Sequence, residues 1–207
     1  MINLIEKFET TLFIDVGACF GMHSFQVKKL CPKVNVVSFE PNKFLTSLMK
    51  KSKRKNKLDI EILNYGLGEN NYFTELNLNY FAVGFSSVYK VKDFLSIKLP
   101  VEVKKLDFYN FHRTFKNIGI KIDIEGFEAN FLNGATETLS EVKWIIIELD
   151  NQNLSYSNSS IEKCLDFLHA RNFTVKQIDY DSHKTIKLRD ININTNKCYE
   201  YYAYKTF

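Results

Sequence analysis

Acidic side chains follow four predicted strands of this chain, and the first of them stands in a glycine loop. The loop reads Asp15-Val16-Gly17-Ala18-Cys19-Phe20-Gly21, a D-x-G-x-x-x-G element between a predicted strand and a predicted helix. Its glycines permit a tight turn and a close approach of the backbone to a ligand. The spacing differs from the G-x-G-x-x-G that seats a dinucleotide pyrophosphate, and the acid suits a ligand with a positive centre. The element predicts either such a binding site or a simple turn.

A second acid ends the next predicted strand. Glu40, in Phe39-Glu40-Pro41, stands about 20 residues after the glycine loop, where an acid typically accepts both hydroxyls of a ribose. The alternative is that Glu40 caps the helix beginning near Asn42. Because Asp15, Gly17, Gly21 and Glu40 would meet at neighbouring strand ends, we favour a ligand site. S-adenosylmethionine, a nucleoside with a sulfonium centre and no phosphate, fits it.

A third group of acids lies later in the chain. The stretch 121–128 reads KIDIEGFE, and strand alternation places Asp123 and Glu125 on one face. Glu148 and Asp150 end the following strand. Four carboxylates so close together repel one another unless they bind protons, cations or substrate hydroxyls. We predict that Asp123 or Glu125 accepts a proton, directly or through a divalent cation that Asp123 and Glu148 hold. His23, just past the glycine loop, is the second choice of base.

The elements that position these residues follow an alternating pattern. Strand-like apolar runs occupy residues 11–16, 34–40, 60–64, 118–124 and 144–149, and amphipathic helical patterns occupy residues 21–30, 43–54, 126–139 and 159–171. This order is typical of an α/β, doubly wound, mostly parallel sheet with helices on both faces. An insertion at about 70–103 predicts two short strands around Gly84-Phe85-Ser86-Ser87, and residues 199–207 predict an antiparallel strand at or near an edge. We expect one domain over residues 1–207.

Composition excludes several classes of protein. Of 207 residues, 45% are hydrophobic and 25% charged, which is typical of a globular chain. The formal net charge is +4, and six basic residues fall within residues 50–57, a run that we interpret as a hydrated helix end. Without that run the net charge is −2, which argues against a nucleic-acid binder. No run approaches the ~18 apolar residues of a membrane span. Four cysteines without a C-x-x-C pair indicate reduced thiols in the cytoplasm.

Several of these stretches resemble one known family, the FkbM-type S-adenosylmethionine-dependent methyltransferases. They are DVGACFG at 15–21, VSFEP at 37–41, SS at 86–87, KIDIEGFE at 121–128, LNGA at 132–135 and IIIELD at 145–150. The resemblance implies the class I methyltransferase fold, with a seven-stranded sheet. It also implies methyl transfer to a hydroxyl oxygen of a sugar, a glycan or a related small alcohol.

The resemblance also assigns roles to single residues. It places Asp15, Gly17, Ala18 and Gly21 at the methionine and adenosyl part of the cofactor, Glu40 at the ribose and Gly66 near the adenine. It makes Asp123 and Glu125 face the acceptor. Two positions depart from the family pattern: Cys19 stands where relatives commonly have Asn, and Gly66-Leu67-Gly68 replaces an Ala-containing segment. Both departures concern the affinity for the cofactor.

Two functions from different classes follow. The first is an O-methyltransferase with a small-molecule or glycan acceptor, bound by the 70–103 insertion and the part after Asp150, with Ser86 and Ser87 as candidate lining residues. The second is a protein that keeps the fold and binds the cofactor without turnover, as a regulatory subunit. A nicotinamide-dependent oxidoreductase is disfavoured because the third glycine of its fingerprint is missing. We expect neither a nucleic-acid partner nor a membrane span.

Overall fold

The strands form one large and one small sheet. The computed structural model describes residues 1–79, 86–88, 96–179, 184–187 and 198–205. Their strands are β1 (Leu12–Val16), β2 (Asn35–Phe39), β3 (Glu61–Leu63), β4 (Gly66–Leu67), β5 (Tyr72–Asn79), β6 (Ser96–Lys104), β7 (Ile118–Ile122), β8 (Val142–Asp150), β9 (Thr174–Asp179), β10 (Lys184–Lys187) and β11 (Cys198–Tyr204). Among these residues the large sheet has the order β10-β9-β11-β8-β7-β1-β2-β3, and the small sheet has the order β4-β6-β5.

The large sheet confirms the predicted mostly parallel architecture. Strands β3, β2, β1, β7 and β8 pair in parallel, whereas β11 runs antiparallel to both β8 and β9. The seven expected strands are present, and β10 adds an eighth at the edge. The predicted antiparallel pairing of the C-terminal strand is confirmed. The strand lies inside the sheet, two strands from the edge at β10, with Tyr201 and Ala203 fully buried.

Three of the four predicted helices are present, and the described residues form three short helices that were not predicted. The helices are α1 (Ile2–Lys7), α2 (Met22–Leu30), α3 (Lys43–Asn56), α4 (Phe111–Thr114), α5 (Glu128–Asn133), α6 (Asn151–Ser155) and α7 (Ile161–His169), of which α1, α4 and α6 were not predicted. The single helix predicted over 126–139 is wrong: α5 ends before Gly134, and a separate 3-10 turn follows at Thr138–Ser140. The Asp107 side chain accepts the N–H groups of Glu137 and Thr138, and these bonds start the new turn.

The large sheet is buried on both faces. Along β1, Leu12, Ile14 and Val16 belong to one apolar cluster, whereas Phe13 packs in the opposite cluster, where it stacks on Trp144. Side chains of a strand alternate between faces, so a strand covered on both sides is apolar at most positions of both faces, and Asp15 is the exception in β1. This explains the continuous apolar runs of the sequence.

The small sheet contains the two strands predicted around the insertion turn. Strands β5 and β6 pair antiparallel over their full length, and β4 joins β6 in parallel. Of the predicted turn, Gly84 and Phe85 lie outside the described residues, whereas Ser87 pairs with Asn77 of β5.

Within the described ranges, no helix combines the length and the apolar character needed to cross a membrane.

Gly119 of β7 tests the packing of the large sheet. It pairs with Trp144 of β8, and an added Cβ would lie 2.2 Å from the Cζ2 atom of that indole. We expect Gly119→Ala to lower the free energy of unfolding by about 1–3 kcal/mol through overpacking, measured by urea denaturation. Trp144→Leu is the control, because it frees the space. If Trp144→Leu lowers the free energy of unfolding as much in the Gly119→Ala background as in the wild type, the clash with Trp144 is not the cause of the Gly119→Ala effect.

Candidate active site

An open cavity lies at the carboxyl ends of β1, β2 and β7, with a volume of about 720 Å³ that includes the solvent space at its mouth. Five of the eight residues predicted from the sequence line it, namely Gly17, Glu40, Gly66, Asp123 and Glu125. In open α/β sheets, ligands bind at this edge of the strands. The fold therefore brings together the glycine loop, the acid after β2 and the acids after β7.

Asp15, Ala18 and Gly21 do not line this cavity and instead shape the loop behind it. The Asp15 Oδ2 atom accepts the backbone N–H of Ser24 at 3.2 Å and its hydroxyl at 2.6 Å, and burial raises the pKa of Asp15. Its Oδ1 atom is buried and has no hydrogen-bond partner among the described residues. Ala18 packs in the core, and Gly21 lies against Met49 of α3. Direct contact of these three residues with a ligand stays a prediction.

Gly17 is required by the packing of two loops. It has a φ of +78°, and an added Cβ would lie 1.9 Å from the carbonyl oxygen of Asp123. The predicted tight turn is therefore present, and the close approach is to the loop after β7. A side chain at position 17 would separate the glycine loop from Asp123.

Glu40 joins the glycine loop to the start of α3. Its Oε2 atom accepts the N–H of Cys19, and its Oε1 atom accepts the N–H of Asn42, both at 2.8 Å. Burial raises the pKa of Glu40 to about 7, although these two N–H groups oppose the shift. Each carboxylate oxygen keeps a second lone pair. Glu40 thus makes the helix-start contact of the alternative interpretation and still faces the cavity.

Asp123 is held by a buried lysine. The Lys121 Nζ atom donates to the Asp123 Oδ2 atom at 2.6 Å, and the Lys121 side chain is only 6% exposed, against 34% for Asp123. Strand β7 ends at Ile122, so the two residues lie on either side of the strand end. This ion pair orients the Asp123 carboxylate at the edge of the cavity.

Glu125 has an unusual backbone and an unusual charge environment. Its φ is 51°, a left-handed conformation that costs a non-glycine residue roughly 1–2 kcal/mol. The Asn153 side-chain amide donates to its Oε2 atom at 2.9 Å, and the Ser87 hydroxyl donates to its backbone carbonyl at 2.8 Å. Burial, followed by the charges of Asp123 and Glu148, raises the pKa of Glu125 to about 8. A group of this pKa can exchange a proton near neutral pH.

Glu128 holds the loop that carries Asp123 and Glu125, a role that sequence reasoning missed. It begins α5, as expected, but its Oε1 atom accepts the N–H groups of Ile124 and Gly126. Glu128 is 2% exposed, and burial raises its pKa to about 7. The available signal was the E-G-x-E spacing at 125–128. Asn153 was also missed, because no local pattern marks it as a partner of Glu125.

The two sides of the large cavity differ in character. Apolar side chains of the small sheet and its neighbours form one wall: Tyr65, Leu76, Val88, Val101, Val103 and Phe127. Ser86 lines the cavity as expected, whereas Ser87 binds the Glu125 backbone instead. Residues of the 70–103 insertion therefore line this cavity, whereas no described residue after Asp150 does, and the binding of an acceptor by either part stays a prediction.

A smaller cavity on the opposite side of Asp123 and Glu125 is acidic. Both residues line it together with Glu128, Glu148 and Asp150, and the Cys198 thiol donates to the Glu148 Oε1 atom at 3.0 Å. The described residues include no group of three or more His, Cys, Asp or Glu side chains that could hold a metal ion. The predicted cation at Asp123 and Glu148 therefore gains no support. His23, the second choice of base, is exposed and lines neither cavity.

Comparison with protein families agrees with this arrangement of residues. The methyltransferase FkbM domain matches residues 15–175, which contain the glycine loop, Glu40 and both candidate catalytic acids. The chain belongs to the FkbM methyltransferase family. No curated protein sequence matches the chain.

Solved structures agree with the fold of this family member. A methyltransferase FkbM from Methylobacillus flagellatus KT is similar with a TM-score of 0.56 and 16% identity, over 95% of this chain and 44% of that protein. This chain therefore spans less than half of that relative. An rRNA methylase from Streptococcus thermophilus has a TM-score of 0.55 at 10% identity, over 100% of this chain and 94% of that one. An S-adenosylmethionine-dependent methyltransferase from Clostridium acetobutylicum has a TM-score of 0.53 at 8% identity, covering 100% and 89%. These likenesses establish the class I methyltransferase fold.

The charge environment of Glu125 gives a pH-dependent test of stability. The pKa of Glu125 is about 8 in the folded chain, against an ordinary value of 4.5 for a solvated glutamate. Between these values the folded state binds more protons than the unfolded state, so the contribution of Glu125 to stability falls as the pH rises. Glu125→Gln removes this loss. We expect the variant to match the wild type near pH 5 and to exceed it by about 1–3 kcal/mol near pH 9.

Thermal and urea denaturation at both pH values measure this difference. The matched control is Glu162→Gln, since Glu162 is exposed in the first turn of α7. A Glu125→Gln variant whose stability relative to wild type stays constant with pH would show that Glu125 is not held among carboxylates.

Proposed function

We propose that this FkbM family member is an S-adenosylmethionine-dependent O-methyltransferase that acts on a hydroxyl of a sugar, a glycan or a related small alcohol. The observation that carries the proposal is that one cavity is lined both by Gly17 and Glu40 and by Asp123 and Glu125. The first two are the residues expected at the cofactor, and the second two are those expected at the acceptor. Family membership supports the reaction class.

The residues at the glycine loop fit such a cofactor. Gly17 lines the cavity without a side chain, so a ligand can approach the backbone of the glycine loop there. The open lone pairs of Glu40 suit a ribose diol, and the apolar wall that includes Tyr65 and Leu76 suits a nucleoside. Bound there, S-adenosylmethionine supplies a methyl group on a positively charged sulfur.

Two carboxylates divide the work at the acceptor. Methyl transfer is an in-line displacement that requires the acceptor oxygen to be held about 3–3.5 Å from the methyl carbon. Lys121 occupies the Asp123 Oδ2 atom, so Asp123 orients the hydroxyl through its Oδ1 atom. Asn153 occupies the Glu125 Oε2 atom, so Glu125 accepts the proton at its Oε1 atom. The pKa of Glu125 is about 8, so its carboxylate is a strong base once it has lost its own proton, at a pH near or above 8.

The second candidate function is a cofactor-binding regulatory subunit without turnover. The raised pKa of Glu125 favours it, because a protonated Glu125 accepts no proton at neutral pH. The two functions are separated by binding and turnover. A chain that binds S-adenosylmethionine yet methylates none of a panel of sugars and polyols at any pH from about 6 to 9 is the regulatory protein.

Two further properties belong to the proposal. We propose that residues 1–207 act as one methyltransferase domain, since residues of both sheets line the same cavity. We also propose a cytoplasmic site of action, supported by four free thiols, one of them in the buried side chain of Cys164.

The role of Glu40 predicts a pH-dependent affinity for the cofactor. A carboxylate binds a diol better than a carboxylic acid does, and the pKa of Glu40 is about 7. We expect the Kd for S-adenosylmethionine, measured by titration calorimetry, to rise about ten-fold between pH 8 and pH 5.5. In Glu40→Gln we expect binding that is about ten-fold weaker than that of the wild type at pH 8, similar to it at pH 5.5, and independent of pH. Equal affinities of wild type and variant at pH 8 would refute the role of Glu40.

The catalytic roles predict losses of turnover without losses of cofactor binding. We expect Glu125→Gln and Asp123→Asn to lower kcat by about 10²–10⁴-fold while the Kd for S-adenosylmethionine changes less than about three-fold. In the wild type, kcat/KM is expected to rise with pH and to level off above about 8, because Glu125 must lose its proton. Transfer of a labelled methyl group to the acceptor panel measures both, with Glu162→Gln as the unchanged control. Full turnover in Glu125→Gln would remove Glu125 from the reaction.

A further inference from the structure

Helix α3 is strongly cationic. With its C-terminal cap Lys57 it carries seven basic side chains and no acid: Lys43, Lys50, Lys51, Lys53, Arg54, Lys55 and Lys57. None of the ion pairs in the described ranges involves this helix. A groove beside α3 is lined by Lys50, Lys53 and Arg54 and by only one acid, Glu61 of β3. The positive charge of the helix is therefore little compensated by its neighbours.

The outward face of α3 also carries exposed apolar side chains. Leu45, Thr46 and Met49 are buried, whereas Phe44 is 61% and Leu48 is 52% exposed. Residues at positions i, i+4, i+7 and i+11 of a helix share one stripe, so Phe44 and Leu48 continue into Lys51 and Lys55, which are also exposed. The stripe is apolar in its first half and cationic in its second half.

Two further exposed apolar side chains flank the point where the glycine loop packs against α3. Phe20 is 51% and Met22 is 77% exposed, and they flank Gly21, which packs against Met49 of α3. We call these two residues, Phe44, Leu48 and the seven cations the α3 surface. Clustered exposed apolar side chains on a soluble protein mark sites of interaction.

We propose that the α3 surface binds an anionic lipid bilayer. Basic residues are attracted by anionic headgroups, and apolar side chains of an amphipathic helix enter the boundary between headgroups and acyl chains. A nucleic acid or a sulfated glycan would attract the cations equally. It offers no apolar phase to Leu48 and Met22, so the combination favours a lipid surface over a hydrated polyanion.

The α3 surface adjoins the proposed active site. Cys19 and Leu45, the neighbours of Phe20 and Phe44 in sequence, both line the large cavity. Membrane binding therefore places the cavity close to the bilayer, where an acceptor alcohol attached to a lipid would be at high local concentration. This last step rests on the proposed function, whereas the binding itself does not.

Sedimentation of the full chain with lipid vesicles tests the proposal. We expect binding to vesicles with about 30% phosphatidylserine to be at least ten-fold tighter than binding to pure phosphatidylcholine vesicles at about 0.1 M salt. Phe44→Ser combined with Leu48→Ser is expected to weaken binding about ten-fold, through the lost apolar burial. Lys51→Glu combined with Lys55→Glu is expected to reduce it to the level of the neutral vesicles. Thermal melting of each variant shows that it folds.

The matched control reverses two charges at the opposite end of the sheet. Lys29 and Lys33 are exposed and lie at the end of α2 and in the loop before β2, so Lys29→Glu combined with Lys33→Glu changes the net charge equally. The proposal is overturned if the control pair weakens vesicle binding as much as Lys51→Glu combined with Lys55→Glu does. It is also overturned if binding is independent of the charge of the lipid. A chain that binds heparin and the anionic vesicles alike, with no effect of Phe44→Ser and Leu48→Ser, is a general polyanion binder, which also overturns it. None of these readouts requires methyl transfer.

Discussion

Carboxylates buried at the carboxyl ends of β1, β2 and β7 are the constraint on which the site depends. Burying a charge is costly unless hydrogen-bond donors contact it, and here N–H groups of the loops are those donors. The carboxylates accept hydrogen bonds from backbone N–H groups: Asp15 from Ser24, Glu40 from Cys19 and Asn42, and Glu128 from Ile124 and Gly126. Each bond fixes a loop as well as a charge. The shapes of the loops and the positions of the acids are therefore determined together.

This dependence also sets the charge state of the site. Burial raises the pKa of Glu40 and Glu128 to about 7 and that of Glu125 to about 8, so three carboxyls change protonation within a narrow range around neutrality. Asp123 contributes to the shifts of Glu125 and Glu128, and interacting groups titrate as a set. Lys121 holds the Asp123 carboxylate by a direct ion pair. The net charge at the junction of the two cavities thus changes with pH, and each binding step there is coupled to proton uptake or release.

Local patterns predicted much of this arrangement, and pairings distant in sequence account for what they missed. The apolar runs predicted the strands of the large sheet, and the acids beside them marked four strand ends. Both patterns can be recognised from a few consecutive residues, because side chains of a strand repeat every two residues. The need for glycine at position 17 comes from its contact with Asp123, more than 100 residues away, which exists only after β1 pairs with β7. The partner of Glu125, Asn153, lies after β8. The break in the helix predicted over 126–139 depends on Asp107, which lies before β7.

The division of the large cavity into an apolar and an acidic side follows from the topology. The small sheet lies in the chain between β3 and β7, and its apolar side chains cover the cavity from one side. Asp123 and Glu125, which follow β7, line it elsewhere and separate it from the acidic cavity that Glu148 and Asp150 of β8 line. A ligand that spans the cavity must therefore combine an apolar or aromatic portion with hydroxyl or cationic groups. An anionic group at Asp123 and Glu125 would meet repulsion from Glu148 and Asp150 as well. This asymmetry restricts the acceptor more strongly than the size of the cavity does, because a charge mismatch in a buried site costs more than a loose fit.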